Sequence, residues 1–297
     1  MTSTQGAEPS FLSHMKAAFS QAKGKRRWFW RLETCAAVVS VVAAFLPNPV
    51  CSLCLSMVAI AVKGAAKAVA ATARAVFGQA ERARRYDFER RTLGWSVPAH
   101  AHGELLFAFS EEVEDRAREY PVMDSDYYAT QGPPSTGRLL GNLAESIFWT
   151  EKLMEIMAGR RSRQLGLAVG ATVLALVGLA LVQRPEILPH ESLGRIVPDG
   201  LRILSASVAA LIAVDVYGDL CGYRRGASEC AKLFLAIEAA MHAPQPDRDE
   251  GVRLFVEYNC ILVDLPMVPD EIHEKHRVRL THLWEQVAAR LTSIAAV

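Results

Sequence analysis

His273-Glu274-Lys275-His276 brings two histidines and a carboxylate into one helical turn. A zinc-protease helix needs its histidines four apart, with the glutamate directly after the first, so that both imidazoles face the metal. Here they stand three apart, and the tetrapeptide reads as the charged surface of a helix. Cys51-Ser-Leu-Cys54 has a metal-like spacing, but a zinc ribbon needs a second pair and none follows. The other cysteines, Cys35, Cys221, Cys230 and Cys260, are scattered. At the mouth of an apolar helix Cys51 and Cys54 read as small packed residues, a redox or metal role being the alternative. A P-loop, a Gly-rich dinucleotide turn, a nucleophile elbow and a paired-carboxylate arrangement are all missing from the sequence. The expectation is therefore no enzyme, no catalytic residue, no metal site and no cofactor.

Two polar constellations remain. At about 100° per residue, Ser52, Ser56, Lys63, Lys67 and Arg74 fall within about 60° of one another on a helix whose other side is Leu, Val, Ile and Ala. Polar side chains in a membrane face protein or water, so Ser52, Ser56, Lys63 and Lys67 are candidate pore-lining residues. The alternative is that Lys63 and Lys67 already lie at the interface and snorkel. The second constellation runs from Tyr120 to Lys152. There Asp126, Tyr127 and Tyr128 precede Gly132-Pro133-Pro134, and a helix follows with Arg138, Glu145 and Trp149. An acidic group beside amphipathic aromatics suits a ligand or partner surface. The alternative is that Tyr127, Phe148 and Trp149 simply pack a bundle.

The elements that must position these groups are dominated by apolar helices. Leu165 to Val182 is eighteen residues without a charge, with Arg160, Arg161 and Arg163 before it and Arg184 after it. At 1.5 Å per residue the run spans roughly 27 Å, the thickness of a hydrocarbon core. Trp28 to Leu46 is a second span, with Arg31 and Glu33 only near its start and Trp28, Phe29 and Trp30 as an interfacial belt. Pro47-Asn48-Pro49 must end that helix. A third span begins at once at Val50 and continues through Gly78, making a hairpin with Trp28–Leu46. Leu201 to Gly218 is the fourth, after a loop with Pro185, Pro189, Gly194 and Pro198; an interfacial amphipathic helix is its competing reading. Asp215 in it needs a partner, and Arg202 lies about three and a half turns away. Gly166 and Gly170 form a GxxxG pair suited to close helix approach.

Lys16, Lys23, Lys25, Arg26, Arg27 and Arg31 precede the first span, while the first hairpin loop carries no charge. Arg74, Arg82, Arg84 and Arg85, then Arg160 to Arg163, and finally Arg224 and Arg225 flank the other inward ends. The positive-inside rule places both termini and the long middle segment in the cytoplasm. The N-terminus does not read as a secretory signal. The expected fold is all-α: four transmembrane helices in two hairpins, continued by a cytoplasmic helical bundle. Its parts are a cytoplasmic segment 1–27, a first hairpin 28–78, a helical region 79–163, a second hairpin 164–222 and C-terminal helices 223–297. In the cytoplasmic parts the apolar period predicts helices at 79–94, 103–120, 138–159, 228–242, 251–264 and 270–294, with no heptad array. Lys and Arg total 33 against 32 Asp and Glu, a net charge of +1 that argues against a nucleic-acid partner. With 22 % charged residues and a mean hydropathy of +0.13, the chain suits a protein that is part membrane and part solvated globule.

Asp126-Tyr127-Tyr128, then Arg138-Leu139 with Glu145-Ser146 and Phe148-Trp149, then Pro266, Pro269 and Trp284 form an unusual series. In these residues the chain resembles the SMODS-associated four-transmembrane effectors of bacterial antiphage conflict systems. The resemblance covers most of the chain in layout and is sharp only in these two stretches. It implies a multi-pass bacterial inner-membrane protein that oligomerises. Such a protein permeabilises the bilayer on a cytoplasmic signal of the cyclic-nucleotide type, made by a partner nucleotidyltransferase system. No assigned site carries over from the family. The rival expectation is a non-toxic membrane adaptor or sensor whose cytoplasmic bundle binds a protein partner.

Overall fold

The computed structural model describes residues 11–46, 48–120, 130–182, 216–243 and 245–294, and these are helical with no strand. The helices are α1 (Phe11–Phe45), α2 (Pro49–Leu93), α3 (Ala99–Ala108), α4 (Glu111–Glu119), α5 (Thr136–Val182), α6 (Val216–Met241), α7 (Arg248–Asp264) and α8 (Asp270–Ile294). They divide into two compact units. Unit 1 gathers Met1–Gly24, Thr72–Ile156 and Gly222–Val297; unit 2 gathers Lys25–Ala71 and Met157–Cys221.

Unit 1 buries its large aliphatic and aromatic side chains in two clusters. Its larger core joins Phe88 of α2, Leu139, Leu140, Leu143 and Ile147 of α5, Leu233 and Ile237 of α6, Leu254 and Phe255 of α7 and Trp284 of α8. Phe88 and Phe255 stack at 4.9 Å, and Phe148 meets Trp284 at 5.5 Å. A second core joins α1 and α2 through Leu12, Met15, Ala22, Ala73 and Ala80, and takes in Leu105, Phe109 and Val113. The segment expected as one helix over 103–120 is two. Phe109 leaves α3 in extended conformation and buries its ring, and Ser110 then starts α4 ahead of Glu111, Glu112 and Glu114. Acidic residues in a first turn complement the helix dipole, which is why the chain restarts there.

The Leu265–Pro269 connection lies across α6. A methyl group added at Gly222 would stand 2.8 Å from Pro266 Cγ, and one at Gly226 would stand 2.3 Å from Leu265 Cδ2. Tyr223 between them is buried and donates its hydroxyl to the Met267 carbonyl at 3.1 Å. The two glycines thus let a loop sit on a helix face that any side chain would fill.

In unit 2, α1 and α2 meet through the Pro49 turn. Asn48 caps α2, its Oδ1 accepting from the Val50 amide at 2.9 Å, with proline in the first helical position. Along α1 the buried positions include Phe29, Ala36 and Ala43, and along α2 Ala59 and Ala66. These recur every seven residues, a seam the sequence pattern did not suggest, because alanine carries little apolar contrast. Ser52 Oγ donates to the Ala43 carbonyl at 2.8 Å and Lys67 lies 5.9 Å from the Phe29 ring, which fixes an antiparallel register. Small residues on the seam let the two backbones approach closely.

Candidate functional site

The outside of unit 2 is apolar and its inside holds small residues and charge. Leu53, Met57 and Ile60 of α2 are each more than 60 % exposed, as are Leu167 and Leu174 of α5. Among the described residues, one helix is long and apolar enough to cross a membrane: α2, within Val50–Leu93, whose most apolar stretch has a mean hydropathy of 1.7 and is 11 % buried. A core helix of equal hydropathy would bury that stretch, since each exposed apolar side chain forfeits on the order of 2 kcal/mol of transfer free energy in water. Trp28 is also exposed, with Arg31 5.0 Å from its ring.

Facing inward, Asp219 of α6 accepts from Arg161 of α5 at 2.9 Å and lies 3.5 Å from Arg26 of α1. The Arg161 guanidinium stands 4.4 Å from the Trp30 ring, and Arg26 stands 5.3 Å from it. One carboxylate and one indole therefore hold three helices together, each arginine gaining charge pairing and a cation–π contact. Glu33 lies one turn beyond Phe29 and Trp30. Its position near the start of a span suggests an interfacial side chain; it is instead 1 % exposed, and neither carboxylate oxygen has a hydrogen-bond partner. The reason is its place on the inner face of α1, between Phe29 and the buried Ala36 and Ala37. Neither the clasp nor Glu33 stood out in the sequence. The signal present there was weak, a glutamate four residues before Ala37 in an otherwise apolar run.

The α2 stripe is divided by the fold. Ser52 lies on the α1-facing seam, and Ser56 Oγ donates to the Ser52 carbonyl at 2.9 Å, so both hydroxyls serve backbone carbonyls. Lys63 is half-buried, while Lys67 is exposed and leans over Phe29. Cys51 and Cys54, expected as packed residues, are exposed because the seam runs through Ser52 and Ala59, not through them.

Of the second constellation, Asp126, Tyr127 and Tyr128 lie outside the described residues. Arg138 holds the turn before α5: its guanidinium donates to the carbonyl of Gly132, which has φ +116°, while Ser135 Oγ accepts from the Arg138 amide at 3.1 Å. The Ser135 amide in turn donates to Thr92 at the end of α2. Glu145 is half-buried on α5. Trp149 stacks on His273 at 5.4 Å, which ties the aromatic helix to the charged tetrapeptide. Burial there, reinforced by Lys23, pushes the His273 pKa below its ordinary value. Beside Trp149 on α5, Tyr258 of α7 donates to the Ser146 carbonyl at 3.1 Å, lies 2.8 Å from Thr150 Oγ1 and is covered by Arg84 at 5.5 Å. Phe148 and Trp149 thus make packing contacts within unit 1, with Trp284 and His273. Burial raises the Cys230 thiol to about 12, so it is a packed residue and no thiolate.

A surface groove of about 170 Å³ in unit 1 is lined by Arg85, Glu89, Trp95, Phe255, Asn259 and Cys260, among others. Burial raises the pKa of Glu89 there. Among the described residues no cluster of His, Cys, Asp and Glu could hold a metal ion. No family model, curated protein or solved structure matches the chain.

Proposed function

We propose that this protein is a bacterial inner-membrane effector that oligomerises and permeabilises the bilayer in response to a cytoplasmic nucleotide-type signal, as part of antiphage defence. The observation that carries the membrane half of this reading is the inverted packing of unit 2, with large aliphatic side chains outward and alanine and glutamate inward. Hydrocarbon stabilises that arrangement and water does not. In this reading four spans form two hairpins, both termini are cytoplasmic, and unit 1 receives the signal. Of the two span pairs, the part at 183–215 lies outside the described residues and enters from the sequence pattern alone. The defence role rests on the resemblance of the Asp126–Trp149 and Pro266–Trp284 stretches to the four-transmembrane effector family. Signal-driven opening needs a ligand that binds the open state more tightly, by about 5.5 kcal/mol for a near-complete shift.

Two measurements test this. Cysteine labelling at Asn48 reports the outer side if the topology is right; labelling from the cytoplasm alone overturns it. Dye release from proteoliposomes that requires a nucleotidyltransferase product supports the effector; correct insertion with no release under any such product overturns it. The second reading, an adaptor or sensor, is favoured by the Trp95–Phe255 groove and the exposed Val256 and Val263 beside it, which offer a partner an apolar surface. That reading expects inserted protein, no release, and a partner retained by unit 1.

A further inference from the structure

Among the described residues of unit 2, Glu33 is the most deeply buried charge-bearing group, at 1 % exposure, and both of its oxygens lack a hydrogen-bond donor. Buried carboxylates are normally satisfied by several donors or by a cation, because an isolated one is strongly disfavoured. Four of the described cations on this helix and its neighbours have other contacts. On α1, Arg26 lies against Asp219, Phe29 and Trp30, and Arg31 lies over Trp28. On α5, Arg161 pairs with Asp219 of α6. On α2, Lys67 leans over Phe29, and the antiparallel register brings Lys63 level with Glu33 without a hydrogen bond between them. Lys63 is half-buried, whereas Glu33 is buried, as are Phe29, Ala36 and Ala37 on the same helix.

A closed path is one whose lining is buried. The α1–α2 seam has such a lining, of alanines and one carboxylate with vacant lone pairs. We propose that Glu33 is the cation-coordinating residue of unit 2 and makes the opened path selective for monovalent cations over anions. This rests on the permeabilising function proposed above. A carboxylate replaces part of the hydration shell of a passing K⁺ or Na⁺ and repels chloride, which is how acidic rings select cations in other channels.

The experiment is the K⁺/Cl⁻ permeability ratio, from reversal potentials in planar bilayers under a KCl gradient, of the full chain activated as above. Wild type should favour K⁺ by about fivefold or more, the factor that about 1 kcal/mol of charge interaction supplies. Glu33→Gln should bring the ratio near unity, Glu33→Lys should invert it, and Glu33→Asp should keep it. A wild-type path that prefers chloride, or a ratio unchanged in Glu33→Gln, overturns the assignment while leaving permeabilisation intact. Absence of any conductance overturns the permeabilising reading and this inference with it. Should Glu33→Gln fail to insert, wild type treated with dicyclohexylcarbodiimide provides the second readout. Mass spectrometry should place the adduct on the peptide carrying Glu33, with loss of K⁺ preference; selectivity unchanged in protein modified at Glu33 overturns the assignment.

Discussion

Unit 1 and unit 2 are made of the same long helices and bury opposite things. In unit 1, Leu143, Ile147, Ile237 and Leu254 are inside and the arginine–glutamate pairs, such as Arg253 with Glu250 and Glu257, are outside. In unit 2, Leu53, Ile60 and Leu174 are outside, while Ala36, Ala66 and Glu33 are inside. The difference teaches that the hydrophobic effect assembles one unit and cannot by itself assemble the other. What holds unit 2 is close packing of small residues and the Asp219 clasp.

The largest expected effect comes from moving a polar group or a cavity between these two regions. Leu143→Ala leaves a void in a fully buried position and should cost about 2–5 kcal/mol in thermal denaturation followed by circular dichroism. Met57→Asp, on the outer face of unit 2, should leave that transition in place and remove the protein from the membrane fraction, since a central aspartate costs about 2.5–3.5 kcal/mol on insertion. If Met57→Asp instead fractionates like wild type, the contrast between the units does not reflect a bilayer.

The seam gives the next effect. Ala66→Leu adds a branched side chain where exposure is 0 %, and should destabilise unit 2 by about 1–3 kcal/mol through overpacking. Leu174→Ala, on the outer face, should cost less than about 0.5 kcal/mol in thermal denaturation of the detergent-solubilised protein, the measurement used for both variants. Equal costs would mean that the α1–α2 contact is looser than the seam implies.

Smaller is the loss of a polar tie in unit 1. Tyr258→Phe removes the hydroxyl that donates to Ser146 and meets Thr150, and should cost about 1 kcal/mol with the fold unchanged. The smallest effect is pH-dependent. Burial lowers the folded-state pKa of His273 below its unfolded value, so the unfolded chain binds the proton more readily. Its contribution is therefore present above the unfolded pKa, near 6.5, and is lost as pH falls below it. A melt series from pH 7.5 to 5 should show less acid destabilisation in His273→Gln than in wild type. Identical slopes would remove His273 from the acid response.

Much of the architecture is legible in the sequence because period and proline are local signals. The helix at 270–294 is α8 to the residue, the 251–264 helix is α7 with one more turn at its start, and α2 begins at Pro49, where the proline pair predicts a helix break. The 79–94 segment continues the long α2, which ends at Leu93, and 138–159 is part of the long α5. That the helix of α1 starts at Phe11 was not legible, since Met15, Ala18 and Ala22 acquire an apolar face only against Ala73 and Ala80. The candidate site was less legible. The polar stripe on α2 is a projection around one helix, and such a projection does not say which neighbour a face meets; here Ser52 meets α1.

The sequence by itself determined that the chain is helical, where its helices turn, and that one of them, α2, is long and apolar enough to cross a membrane, because these properties depend on spacing along the chain. Tertiary structure alone decided which charges meet. Arg26, Arg161 and Asp219 stand far apart in the chain and converge only because three helices cross there. Glu33 is orphaned only because the same packing turns its face of α1 inward. Pairing and desolvation are properties of what surrounds a group in space, and no periodicity in one helix encodes its neighbours on another.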